Sequence, residues 1–169
     1  FKTGGKHWLF DAPDGVTEWL SGKGVKLDGL ILTHQHHDHI IGAGKGVEAF
    51  GCPVWAHSGP SEDLTMAKRL EAMIGMPCDL DPYQIDHLLK GETALHLPEL
   101  PVKILHVPGH SPDSLCFLID GHPLLVGGDV LFSGGIGRTD FPHGDHDLLI
   151  SGIKEKLCPL PDETQVLPG

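Results

Sequence analysis

At 169 residues the chain is long enough for one domain with a substantial core, and no linker divides it. Twelve basic against 23 acidic residues leave a formal charge of −11, which disfavours nucleic acid as the main partner because phosphate binding needs a cationic face. No apolar run approaches the roughly 20 residues of a membrane helix, and no basic-then-apolar leader opens the chain, so a cytoplasmic protein without a membrane partner is expected.

The start, Phe1 to Lys6, has no initiator Met and turns at Gly4-Gly5, so it reads as trimmed. His7 to Asp11 reads as a strand, Ala12-Pro13-Asp14-Gly15 as a turn, and Val16 to Leu20 as a short helix stopped by Gly22 and Gly24. Asp11, at the strand end, is either a buried acceptor for a ligand histidine or an exposed turn aspartate. The apolar run Leu27 to Leu32 predicts a buried strand, Ile40 to Phe50 a glycine-punctuated helix, and Cys52 to Ala56 a further strand, which is a β-α-β rhythm.

Ser61-Glu62-Asp63 opens a capped, acidic helix whose Leu64, Ala67, Leu70 and Ile74 form one packing face, with Gly75 as the stop. Met76 to Gly91 contains Pro77 and Pro82 and no steady period, so it is expected as a loop overhanging a site. Short strands follow over 94–97, 102–107, 114–120 and 123–126, then a helix from Asp145 to Leu157 and a last strand at 164–167. Strands grouped in both halves with one-faced helices between them imply an α/β sandwich of two sheets with helices outside. A Rossmann arrangement is weaker, because no G-x-G-x-x-G follows the first strand.

The chemistry concentrates in Thr33-His34-Gln35-His36-His37-Asp38-His39, at a strand-to-helix corner. An apolar strand has no structural use for so many ionisable groups at its end. On extended backbone His34 and His36 share a face and can converge on one cation, with Asp38 and His39 on the next turn and His37 pointing the other way. Two further pieces sit at strand ends. Pro108-Gly109-His110 holds a histidine in a stiffened turn, and Gly127-Gly128-Asp129 does the same for a carboxylate. His57 follows a strand and lies near enough to be considered, whereas His7, His87, His96, His106, His122, His143 and His146 are expected as non-ligands. The four cysteines, Cys52, Cys78, Cys116 and Cys158, have no C-x-x-C spacing and read as reduced thiols.

His34-x-His36-x-Asp38-His39, then Pro108-Gly109-His110, then Gly128-Asp129 resembles the metallo-β-lactamase superfamily. The runs Gly128-Asp129-Val130-Leu131-Phe132 and Gly137-Arg138-Thr139-Asp140-Phe141 are similar to its glyoxalase II-like branch of hydroxyacylglutathione hydrolases, and also to persulfide dioxygenases, more than to true lactamases. The resemblance implies one metallo-hydrolase domain over residues 1–169, trimmed at both ends, with a four-layer αββα sandwich of two mixed sheets. It implies that His34, His36 and His110 hold one metal, that Asp38 and His39 serve a second, and that Asp129 bridges them. One more histidine is usual just after a strand like Val166-Leu167-Pro168-Gly169, where this sequence ends.

Imidazole and carboxylate donors without thiolate suit two zinc ions, with iron or manganese as alternatives. Water shared by two such ions becomes hydroxide near neutral pH and can attack a thioester such as S-lactoylglutathione, with Asp38 steering the water or taking its proton. Arg138 either holds the site loop, binds a substrate carboxylate or forms an ion pair with Asp140. A different chemistry on the same scaffold is a mononuclear Fe(II) persulfide dioxygenase held by His34, His110 and Asp129, and a third outcome is a metal-binding module without catalysis.

Overall fold

The structure, a computed structural model, describes residues 1–98 and 100–169. The chain divides into two compact units, Phe1–Lys90 and Gly91–Gly169. Each carries a mixed sheet with helices packed on it, which places the protein in the α/β class.

The first unit contains β1 (Lys2–Thr3), β2 (Lys6–Phe10), α1 (Val16–Gly22), β3 (Gly29–Ile31), α2 (His37–Ile40), α3 (Ala43–Phe50), β4 (Val54–Ala56), α4 (Glu62–Thr65), α5 (Ala67–Ile74) and β5 (His87–Leu88). The strands lie in the order β1-β2-β3-β4-β5. The β1–β2 hairpin is antiparallel and the other pairings are parallel. The alternation of β3 explains its burial: Leu30 and the following Leu32 join Val54, Ala56, Leu20, Ile40 and Ala43 in one core, with Val16, Val47 and Phe50 of the helices packed on it. Burying each leucine contributes about 1.5–3 kcal/mol. On the other face, a Cβ at Gly29 would lie 2.5 Å from the Trp8 ring and 2.6 Å from the Trp55 ring, so only glycine lets these two rings meet edge to face across β3.

Parallel pairing has a consequence for chemistry. The carboxyl ends of β2, β3 and β4 share one edge, and Asp11, Thr33 to His39, and His57 all follow those ends.

Three expectations in this unit are corrected. The predicted single helix after Ser61 is two, α4 and α5, broken at Met66 in the left-handed region (φ 55). Its expected packing face is not buried either: no residue of α5 is buried, and Met73, Ile74 and Met76 are exposed. The residues 76–91 expected as a loop contain β5, which extends the sheet through Trp55↔His87 and Ala56↔Leu88. The helix expected over 40–50 is α2 and α3, two pieces meeting near Gly42. A Cβ there would come 2.7 Å from the Pro13 carbonyl oxygen.

The second unit contains β6 (Ala94–Leu97), β7 (Leu100–His106), β8 (Leu115–Ile119), β9 (Leu124–Gly128), β10 (Leu131–Phe132), β11 (Gly135–Ile136), α6 (His146–Gly152) and β12 (Gln165–Pro168). Its main sheet runs β12-β9-β8-β7-β6, an antiparallel meander closed by β12 parallel to β9, while β10 and β11 form a separate hairpin. Asp145 caps α6 by accepting the Leu148 N–H at 2.9 Å. The helix expected to run to Leu157 changes to a π-helical turn at Ile153–Leu157. Leu149, Ile153 and Leu157 from this segment pack on Leu105, Cys116, Leu125 and Val130 to form the core.

Candidate metal centre

In the first unit Asp11 is the hub. Oδ1 accepts the Thr33 N–H at 2.7 Å, and Oδ2 accepts the Thr33 hydroxyl at 2.7 Å and His39 Nδ1–H at 2.8 Å. A carboxylate only accepts, so Nδ1 of His39 carries a proton, and in the neutral ring Nε2 is then the nitrogen with the lone pair. The same logic reaches His34. The Thr33 hydroxyl spends its hydrogen on Asp11, so its oxygen receives Nδ1–H of His34 at 3.1 Å, and Nε2 is again the nitrogen that a cation would take.

The rings of His34 and His39 lie 4.0 Å apart between centroids, and those of His34 and His36 4.7 Å apart; all three residues are buried. Asp38 is exposed, with Oδ2 4.0 Å from His39 Nε2. His37 is buried, and among the described residues its Nε2 has no hydrogen-bond partner. His57, also buried, meets the Ser58 hydroxyl at 2.6 Å.

In the second unit His110 follows Gly109, whose φ of +132° is glycine territory and whose missing Cβ admits the Asp145 carbonyl and Leu149. His110 Nδ1–H donates to the Arg138 carbonyl at 2.8 Å, which again leaves the lone pair on Nε2, 3.7 Å from Asp129 Oδ2. A third histidine therefore has the same tautomer. Gly137 is wedged against both groups: a Cβ there would fall 1.9 Å from the Asp129 carbonyl oxygen and 3.1 Å from His110 Cβ.

Of the residues named from the sequence, the structure brings His34, His36 and His39 together in the first unit, and His110 and Asp129 together in the second. The Arg138 guanidinium makes a bidentate pair with Asp140, 2.7 Å at each contact, and lies 4.0 Å from the centre of the Phe141 ring. That pair raises the guanidinium pKa further and holds the Asp140 carboxyl down to about 2. The backbone carbonyl of Arg138, not its charge, touches His110.

Sequence reasoning placed Thr33 at the head of the histidine run but gave it no role, although its position between the strand and the first histidine was the signal. It also missed Ser111 and Asp113, both fully buried, whose hydroxyl and carboxylate meet at 2.5 Å in the His110 loop. Imidazoles whose Nδ1–H is committed to a protein oxygen, alongside carboxylates and without thiolate, are the donor types that a divalent-cation site uses.

A family model for the metallo-beta-lactamase superfamily matches residues 9–169, and the chain belongs to that superfamily. Two relatives bear on its activity. "Probable metallo-hydrolase YqgX" of Bacillus subtilis is 34% identical over 154 residues, covering 91% of this chain and 73% of the relative. "Hydroxyacylglutathione hydrolase GloC" of Haemophilus influenzae is 37% identical over 163 residues, covering 93% and 76%.

Among solved structures, the BLEG-1 B3 metallo-beta-lactamase has a TM-score of 0.88 at 32% identity, covering all of this chain and 83% of its own. TTHA1623 in a di-iron-bound form has a TM-score of 0.82 at 30%, covering all of this chain and 84% of its own. ETHE1 from Myxococcus xanthus has a TM-score of 0.72 at 26%, covering 96% and 64%. Metallo-hydrolase relatives, a metal-bound neighbour and the His/Asp donor set agree on a metal-dependent hydrolase superfamily protein. No helix of the described residues is long and apolar enough to cross a membrane.

Proposed function

We propose that the chain is a metal-dependent thioesterase acting on a glutathione-linked substrate such as S-lactoylglutathione, with residues 1–169 working as one metallo-hydrolase domain in the cytoplasm. In this reading His34, His36 and His110 would hold one ion, Asp38 and His39 would serve a second, and Asp129 would be shared between them. Zinc is the first choice, and iron or manganese the alternatives. The observation that carries it is the shared tautomer of His34, His39 and His110, each with Nδ1–H committed to a protein oxygen and Nε2 bearing the lone pair. The 37% identity to GloC supports the thioester class.

Divalent ions held there would supply Lewis acidity toward water and a thioester carbonyl. The exposed Asp38 carboxylate takes a proton from the attacking water at an Oδ atom. Asp11, through Oδ2, keeps Nδ1 of His39 protonated while that happens. Arg138, exposed and already oriented by Asp140, meets a substrate carboxylate with the donors that pair leaves over.

A second reading draws on the resemblance to persulfide dioxygenases and on the 3.7 Å approach of His110 Nε2 to Asp129 Oδ2: one Fe(II) would be held by His34, His110 and Asp129. Elemental analysis of protein purified without added metal, followed by thioester-hydrolysis and O2-uptake assays on that sample, separates the readings. Two ions per chain with thioester turnover supports the first. A single iron with persulfide-dependent O2 consumption replaces it with the second, and bound metal with neither activity leaves a binding module.

A further inference from the structure

Gln35 stands between two of the proposed ligands, and its side chain is fully buried. Its Nε2 donates to the Ser58 carbonyl at 2.9 Å, and its Oε1 accepts the Tyr83 hydroxyl at 3.1 Å. The assignment is forced from one end: a carbonyl only accepts, so the amide nitrogen faces Ser58 and the amide oxygen faces Tyr83, whose hydroxyl must donate.

Tyr83 belongs to the segment 76–86, which has no regular structure yet is held down from Leu80 onward. At Gly44 of α3 a Cβ would lie 2.5 Å from the Asp81 backbone oxygen, so the strap rests directly on that helix. Asp86 Oδ2 accepts the Val54 N–H at 2.8 Å, and Leu80, Tyr83 and Ile85 pack against the core of the first unit. A segment held at Asp81 and again at Asp86, with Tyr83 between them reaching the residue between His34 and His36, has more to do than overhang.

We infer that Tyr83 is a positioning residue that acts through Gln35, so that the strap 76–86 sets the spacing of His34 and His36 and thereby their affinity for a divalent cation. The inference rests on the metal reading proposed above. Neither Tyr83 nor Gln35 offers a donor to the ion in that reading. Their effect is transmitted by the backbone that the Gln35 amide holds from two sides.

The test is a cobalt(II) titration of the full chain, followed by its visible absorption and by competition with a chromophoric chelator. Outer partners of metal ligands are worth about 10–100-fold in affinity. Tyr83 acts one bond further out, so Tyr83→Phe is expected to weaken cobalt binding about threefold to tenfold and to alter the cobalt spectrum, with the far-ultraviolet circular dichroism of the metal-free protein retained. In a Gln35→Met background the same change should have no further effect. Should Gln35→Met not fold, Gln35→Glu keeps an acceptor toward Tyr83 and should preserve the Tyr83→Phe effect.

Wild-type affinity and spectrum in Tyr83→Phe overturn the inference. So does an undiminished Tyr83→Phe effect in Gln35→Met, or its loss in Gln35→Glu. His36→Ala serves as the benchmark: if it binds cobalt as the wild type does, the metal reading itself fails, whereas weak binding there with an unaffected Tyr83→Phe removes only the role given to Tyr83.

Discussion

Asp11 Oδ2 lies 2.8 Å from Nδ1 of His39, with Asp11 itself at a left-handed φ of 58°. That conformation is uncommon for a side-chain-bearing residue and costs about 1–3 kcal/mol. It brings both carboxylate oxygens within reach of Thr33 and His39, so one residue fixes His39 directly and His34 through Thr33.

Asn tolerates the same φ, so Asp11→Asn tests the carboxylate and not the backbone. An amide has one accepting end, while Asp11 receives three donors on two oxygens, so at least one donor must face an NH2 group. Zinc affinity measured by chelator competition is expected to fall about 10–100-fold, with the far-ultraviolet circular dichroism of the metal-free protein retained. Unaltered affinity would mean that Asp11 shapes the turn and nothing more.

Gly137 gives a steric prediction. Alanine there must push its Cβ out of the 1.9 Å approach to the Asp129 carbonyl, and the neighbours able to move are Asp129 and His110. Overpacking of this kind costs about 1–3 kcal/mol. Gly137→Ala should therefore lower both the urea midpoint and the metal affinity. Gly134→Ala is the control: φ is +80° but nothing lies within 4 Å, so a penalty of about 1 kcal/mol should appear in stability alone. Equal metal affinity in both variants would detach Gly137 from the site.

Much of the fold was legible because its signals are local. The apolar run before Thr33, the proline and glycine turns after Thr93 and the acidic opening of α6 each name their element within a few residues. The two-residue strands β5, β10 and β11 are too short to show a period, and the stripe Leu64, Ala67, Leu70, Ile74 could not reveal that nothing in the first unit would bury α5. The site divides in the same way. Histidines massed at a strand end stand out by type, whereas Gln35 takes its meaning from Tyr83, 48 residues on, and His110 from a carbonyl 28 residues on. A main-chain oxygen carries no trace of itself in the letter Arg138.

The cysteines make a prediction independent of any metal. Burial pushes the Cys116 thiol up to about 12 and raises that of Cys52, while Cys78 is also buried and Cys158 alone is exposed. The thiolate is the reactive form, so a disulfide reagent at pH 8 should titrate Cys158 quickly in the native protein and the other three only on denaturation. Rapid modification of two or more thiols would mean that one of these buried positions opens readily to solvent.

The Arg138–Asp140 pair carries a pH prediction whose sign is fixed by the direction of the shift. The Arg138 guanidinium, hydrogen-bonded to Asp140, holds that carboxyl at about 2. A carboxyl lowered in the folded state contributes stability that is fully present above its unfolded value of about 3.9 and is lost as pH falls through its folded value. The window is therefore roughly pH 4 down to pH 2, and both groups are exposed enough for added salt to weaken the effect. In Arg138→Gln the Asp140 carboxyl should titrate in the ordinary carboxylate range when followed by carbon-13 NMR, while His110 keeps its bond to a main-chain carbonyl and the metal stays bound. If that variant loses metal as well, the guanidinium clasp on Asp140 and Phe141 is what holds the carbonyl of residue 138 over His110.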